Sequence, residues 1–188
     1  MDNAEDFTPQ EMKYMLELAR KTLERAVSGK DAEALPPPES PRLGEYCGCF
    51  VTLKAFGQLR GCIGNIEPVR PLYLSIAENA VNAAFHDPRF PQVKAAELGG
   101  IGIEVSVLTP PAPLECSSPD DLLSKLIPFE HGVILKFGPR QSTFLPQVWE
   151  QLPNKLMFLE HLSMKAGMGR DDWKNADVWV YRAVHFSE

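Results

Sequence analysis

The sequence predicts an α+β fold built mainly on antiparallel sheet. Three observations point to it: two stretches with hairpin signatures, at 47–64 and 133–145; helical periodicities that occur singly between strands; and no regular strand-helix-strand rhythm of the kind that builds parallel sheets. A chain of 188 residues with 44% hydrophobic content can bury the core of one domain spanning 1–188. It contains no repeat at fixed period.

Thr8-Pro9-Gln10-Glu11 reads as a capping box with proline at the first helical position, and Met12, Met15, Leu16, Ala19, Leu23 and Val27 follow at helical spacing up to Gly29. Residues 30–43 carry Pro36, Pro37, Pro38 and Pro41, which remove backbone donors and force extended backbone, so this stretch is a surface connector within the domain. Residues 47–54 and 59–64 flank Phe56-Gly57 as a β-hairpin. Period-two alternation puts Arg60 and Cys62 on one face of its second strand and Leu59, Gly61 and Ile63 on the other. Pro71 opens a helix through Leu72, Ile76, Ala80 and Ala83 or Ala84, which ends before Asp87-Pro88 because proline excludes helix from the residue ahead of it. Ile101, Ile103, Val105 and Val107 alternate with Gly102, Glu104, Ser106 and Leu108 in a strand that presents Glu104 and Ser106 on one face. Ser118-Pro119-Asp120-Asp121 caps a short helix, and 133–137 with 141–145 form a hairpin around Gly138-Pro139. Leu156, Leu159, Leu162 and Ala166 mark a helix closed by Gly167, and a terminal strand puts Val178, Val180, Val184 and Phe186 on one side.

Nineteen basic against 25 acidic side chains give a net charge of −6, which with the lack of any basic run argues against nucleic-acid binding and attraction to an anionic membrane. No cationic leader precedes an apolar stretch and no apolar run is long enough to cross a bilayer, so a cytoplasmic location is expected. Cys47, Cys49, Cys62 and Cys116 are too few and too irregularly spaced for a disulfide framework and suit free thiols in a reducing compartment. Cys47-Gly48-Cys49 lacks a matching second pair, and His86, His131, His161 and His185 lack metalloprotease spacing, so no metal site is predicted. No residue pattern specifies a cofactor.

Chemistry concentrates in Leu59-Arg60-Gly61-Cys62-Ile63-Gly64. A cation two residues from a thiol favours the thiolate, and the flanking glycines let a ligand approach, with the Gly61 and Gly64 amides as candidate donors to an oxyanion. The competing reading is a small cysteine packed in a strand, with glycines serving close packing or a bulge. His86 or Asp87 is a candidate for orienting or deprotonating the thiol, and Asp87 with Arg89 equally reads as a turn and surface pair. Glu104, set in an apolar strand, is either solvent-facing or a general base lining a cleft.

The chain resembles the AMMECR family. The matching segments are Gly48-Cys49-Phe50-Val51-Thr52-Leu53, the hexapeptide at 59–64, Ala83-Ala84-Phe85-His86-Asp87-Pro88-Arg89-Phe90, Ile103-Glu104-Val105-Ser106-Val107-Leu108, Phe144-Leu145-Pro146-Gln147-Val148, and Lys165-Ala166-Gly167 with Trp173 after it. The resemblance implies two unequal lobes, the larger built from both chain ends, with a cleft near the hexapeptide. It further implies association with a Memo-like protein and a radical S-adenosylmethionine protein. Where relatives often carry cysteine before Lys-Ala-Gly, this chain has Ser163, which removes a second thiol.

The expectation is a thiol-dependent enzyme acting on a small polar substrate or a modified protein side chain. Cys62 attacks; Arg60 holds the thiolate or an anionic group; Glu104, His86 or Asp87 moves the proton; Gly61, Gly64 and Arg89 bind substrate. The alternative is a non-catalytic adaptor whose glycine-rich cleft receives a peptide or partner enzyme.

Overall fold

The computed structural model describes residues 7–30 and 36–188. The chain forms two compact units, Met1–Pro110 with Val184–Glu188, and Pro111–Ala183. Each contains one four-stranded sheet, and the fold is α+β.

In the first unit, α1 (Pro9–Val27) starts at the predicted capping box: the Thr8 hydroxyl accepts from the Glu11 N–H and the Glu11 carboxylate accepts from the Thr8 N–H. Gly29, at φ +67°, follows its C-terminus in the left-handed conformation that glycine adopts without strain. The predicted connector runs into a short 3-10 turn at Pro41–Gly44, and residues 31–35 lie outside the described chain.

The hairpin pairs β1 (Cys49–Ala55) with β2 (Gln58–Asn65), and β3 (Ile101–Leu108) lies on the other side of β1. The terminal strand β8 (Ala183–Ser187) completes the order β2-β1-β3-β8. Cys49, Val51, Leu53, Ile103, Val105 and Val107 face the core with Met15, Ala19 and Leu23 of α1 and the buried side of α2 (Leu72–Phe85). That side of α2 carries Ala80, Ala83 and Ala84 toward its C-terminal end, and small residues let a helix approach a sheet closely. Asn79 of α2 is buried and its amide donates to the Cys49 carbonyl at 3.2 Å and to Asn65 Oδ1 at 3.1 Å, fastening the helix to the open end of the hairpin.

The second unit builds on β4 (Ala112–Pro113), β5 (Gly132–Phe137), β6 (Arg140–Phe144) and β7 (Asp177–Tyr181), in the order β4-β7-β5-β6. Its helices are α3 (Pro119–Lys125) and α4 (Lys155–Lys165). Trp149 stacks on Phe158 with ring centroids 3.6 Å apart, and both are fully buried with Leu135, Leu159, Leu162 and Trp173.

One expectation needs correction. The predicted single terminal strand is two strands interrupted at Arg182: Val178 and Val180 pack in the second unit, whereas Val184 and Phe186 pack in the first. Alternation assigns a strand's faces, but it carries no information on which sheet the strand joins.

Candidate functional site

The site forms along the outer edge of the first sheet and on its face away from α2. β2 is an edge strand, so every second backbone group along it lacks a ladder partner and must find one elsewhere. At Cys62 the loop after α2 supplies both partners. Asp87 Oδ2 accepts from the Cys62 N–H at 2.9 Å, and Arg89 Nη2 donates to the Cys62 carbonyl at 3.3 Å. Asp87 and Arg89 are themselves paired, with Arg89 Nε on Oδ1 at 2.9 Å and Nη2 on Oδ2 at 2.7 Å, and Oδ1 also accepts from the Arg89 N–H at 3.1 Å. The Asp87 side chain is only 2% exposed. Arg89 above all, then the backbone N–H groups of Cys62 and Arg89, holds its carboxyl down at about 2. Asp87-Pro88-Arg89 is thus a clamp on the edge strand at Cys62.

The thiol has two stabilising neighbours. The Thr52 hydroxyl, directly opposite on β1, donates to Cys62 Sγ at 3.3 Å. The Arg89 guanidinium is held charged first by Asp87 and also by the neighbouring Cys62 side chain. A cation and a hydroxyl donor both favour the charged form of sulfur.

Register aligns the remaining groups. Thr52 pairs with Cys62 on one side and with Glu104 on the other, so these three side chains form a row across β2, β1 and β3 on the sheet face opposite α2. Glu104 meets Lys54 Nζ at 2.5 Å and lies 3.8 Å from His185 Nε2, while His185 Nδ1 is 3.3 Å from Ser106 Oγ. Cys62 and Glu104 thus share a face at a separation of about 10 Å, twice the spacing of neighbouring strands.

Arg60 is not the cation beside the thiol. Its Nε and Nη2 bond Glu97 at 2.9 and 3.2 Å, and its Nη1 bonds the Pro91 carbonyl at 2.9 Å. The cause is a β-bulge: Leu53 pairs with Gly61 but Lys54 pairs with Leu59, which leaves Arg60 as the extra residue. The alternation behind the predicted Arg60-Cys62 face breaks there.

The predicted substrate-binding glycines have packing reasons to be glycine. A Cβ on Gly61 would lie 2.1 Å from the Ala83 carbonyl oxygen of α2, and one on Gly64 would lie 2.3 Å from both the Cys49 carbonyl oxygen and the Phe50 ring. The Cys62 N–H is committed to Asp87, so it is not an oxyanion donor. His86 caps the end of α2, is exposed, and bonds Asn82 Oδ1 at 2.8 Å through Nδ1. It does not join the row.

Of the other thiols, Cys49 is fully buried and burial pushes it up to about 12. Burial also raises Cys116, which lines a cavity of about 430 Å³ in the second unit with Leu122, Trp173 and Trp179. Ser163 is buried and donates to the Gly169 carbonyl at 2.6 Å. Among the described residues, no group of three or more His, Cys, Asp or Glu side chains converges as metal ligands, and no helix is long and apolar enough to cross a membrane.

Sequence reasoning missed Thr52, Lys54 and His185. Counting pairs outward from Phe56-Gly57 without a bulge places Thr52 opposite Gly61, one residue short of the thiol. Nothing local to His185 signals that the strand carrying it joins β3.

The site and topology define a class: an α+β protein of two compact units whose edge-strand cysteine is clamped by an Asp-Pro-Arg loop. The AMMECR1 family model matches residues 16–186, and the chain belongs to the AMMECR1 family. It is 41% identical over 191 residues to Protein MK0488 of Methanopyrus kandleri, covering 98% of this chain and 91% of that one. Protein NEQ441 of Nanoarchaeum equitans is 39% identical, with 93% and 98% covered. The crystal structure of the uncharacterized protein PH0010 from Pyrococcus horikoshii superposes with a TM-score of 0.89 at 34% identity, covering 97% of this chain and 93% of that chain.

Proposed function

We propose that the protein is a cytoplasmic thiol-dependent enzyme acting on a small polar substrate or a modified protein side chain, with Cys62 as nucleophile. The observation that supports it is the pairing of Cys62 Sγ with the Thr52 hydroxyl and with the clamped Arg89 guanidinium at the edge of the first sheet. For an amide substrate, Sγ forms a bond to the carbonyl carbon, the C–N bond breaks, and the amine leaves with a proton. Water then cleaves the thioester, releasing a carboxylic acid and restoring the thiol. A substrate lying across Thr52 directs its leaving group toward Glu104 and His185, the acid-base pair at the far end of the row. Of the two roles expected for Asp87, orienting or deprotonating the thiol, it takes the first as the positioning residue for Cys62 and Arg89, since both its oxygens are occupied. Association with a Memo-like protein and a radical S-adenosylmethionine protein, implied by the family resemblance, belongs to the same proposal.

The test is the pH dependence of alkylation at each of the four cysteines of the folded protein, resolved by peptide mass spectrometry. Cys62 is expected to react first, with an apparent pKa well below the ordinary value of about 8.5. Cys62 that stays inert until the protein unfolds overturns the proposal.

A further inference from the structure

Arg89 and Arg60 sit at the same strand edge and differ in how much of each guanidinium is used. All three nitrogens of Arg60 have protein acceptors, and its side chain is 12% exposed. Arg89 commits Nε and Nη2 to Asp87 and the Cys62 carbonyl, its guanidinium also engages the Cys62 side chain, and its side chain is 54% exposed. Its Nη1, with two in-plane N–H donors, meets no oxygen acceptor among the described residues. A guanidinium is planar, so fixing Nε and Nη2 on a buried carboxylate fixes the direction of Nη1 as well. The clamp therefore holds a charged, oriented and half-exposed guanidinium beside the thiol.

Resting on the assignment of Cys62 as nucleophile, we infer that the substrate carries a carboxylate, received by Arg89 Nη1 while the substrate's electrophilic carbon faces Cys62 Sγ. The charge balance favours a carboxylate over a phosphate. Asp87 already offsets the Arg89 charge, so a doubly charged group meets more repulsion from the Asp87 carboxylate than a singly charged carboxylate does, and one carboxylate oxygen suffices to accept from an Nη1 N–H.

Two alkylating reagents of nearly equal size test the inference on the intact protein: iodoacetate, which carries a carboxylate, and iodoacetamide, which does not. In both reactions Sγ bonds to the methylene carbon and iodide leaves. The readout is the ratio of the two rates at Cys62, divided by the same ratio for free cysteine in the same buffer. A charge-assisted hydrogen bond to the reagent predicts a normalised ratio of about tenfold or more. The Arg89→Gln variant, with its fold checked by circular dichroism, is expected to bring the ratio back to that of free cysteine. Sodium acetate is expected to slow iodoacetamide at Cys62 relative to sodium chloride at equal ionic strength, a measurement that needs no variant. A wild-type ratio equal to that of free cysteine, with Cys62 still reacting at depressed pKa, overturns the carboxylate subsite and leaves the nucleophile assignment standing. Cys62 inert to both reagents overturns both. A preference that survives in folded Arg89→Gln, or stronger protection by inorganic phosphate than by acetate, overturns the assignment of Arg89 to a carboxylate.

Discussion

Replacing Asp87 by asparagine perturbs the clamp at its centre while nearly preserving side-chain shape. The carboxylate accepts from the Cys62 N–H, the Arg89 N–H, Arg89 Nε and Arg89 Nη2. An asparagine amide offers one oxygen, so either Cys62 N–H and Arg89 Nη2 or Arg89 N–H and Nε face an NH₂ group instead. Losing hydrogen bonds to a charged group at a site 2% exposed costs roughly 1.5–3 kcal/mol. The same contacts expressed as a proton affinity give a consistent figure: a carboxyl held at about 2 against an ordinary 3.8 corresponds to about 2 kcal/mol. Because the folded pKa lies below the unfolded one, this contribution is fully present above about pH 4, and about half of it is lost by pH 3. Below about pH 2 it has vanished. Urea unfolding of both proteins at pH 7, 5, 4 and 3 measures the difference. The expected gap is about 2 kcal/mol at pH 7, narrowing to about 1 kcal/mol at pH 3. A gap under about 0.5 kcal/mol at pH 7, or one that stays constant down to pH 3, refutes the clamp as the source of Asp87's low pKa.

Three further outcomes follow from particular contacts. Gly61→Ala pushes a methyl into the Ala83 carbonyl of α2 and is expected to destabilise by about 3 kcal/mol or more, whereas Gly102→Ala, with nothing within 4 Å, stabilises by about 0.5 kcal/mol; thermal unfolding separates them. Arg60→Gln is expected to lower stability by about 1 kcal/mol through loss of the Glu97 pair, yet leave the pH profile of Cys62 alkylation where it was; a shift above about half a unit restores Arg60 to the thiol. Phe56, 97% exposed at φ +52° in the hairpin turn, occupies a conformation that asparagine tolerates better, so Phe56→Asn is expected to raise stability by about 0.5–1 kcal/mol in the same unfolding assay.

The elements legible from sequence are those whose cause is local. The Thr8-Glu11 capping box, Phe56-Gly57 between two strand patterns, and Asp87-Pro88 after an alanine-rich helix each act within a few residues, and each marks an element boundary in the structure. What was not legible depends on two segments meeting. Arg60 reads as the partner of Cys62 because alternation is uniform on paper, and only the pairing of β1 with β2 reveals the bulge. Likewise the terminal pattern of Val178, Val180, Val184 and Phe186 is continuous in sequence, yet its halves belong to different sheets, and that division brings His185 to Glu104.

The bulge also connects packing to chemistry. Gly61 permits the Ala83 carbonyl to come against β2, and close approach of α2 carries the loop that follows it to the same strand edge. A side chain on Gly61 would hold that helix off and move Asp87 and Arg89 away from Cys62. The extra residue at Arg60 restores the register such that Thr52, and not its neighbour, lies opposite the thiol. Arg60 then ties Pro91 and Glu97, further along the same loop, to the edge of β2. The hexapeptide therefore contributes the Cys62 thiol and several constraints on geometry: glycine sets the distance of α2, the bulge sets the register, and Arg60 anchors the loop that brings Arg89 to that thiol. On this account Gly61→Ala should weaken Cys62 reactivity even where the variant still folds, because the cation's position depends on the helix behind it.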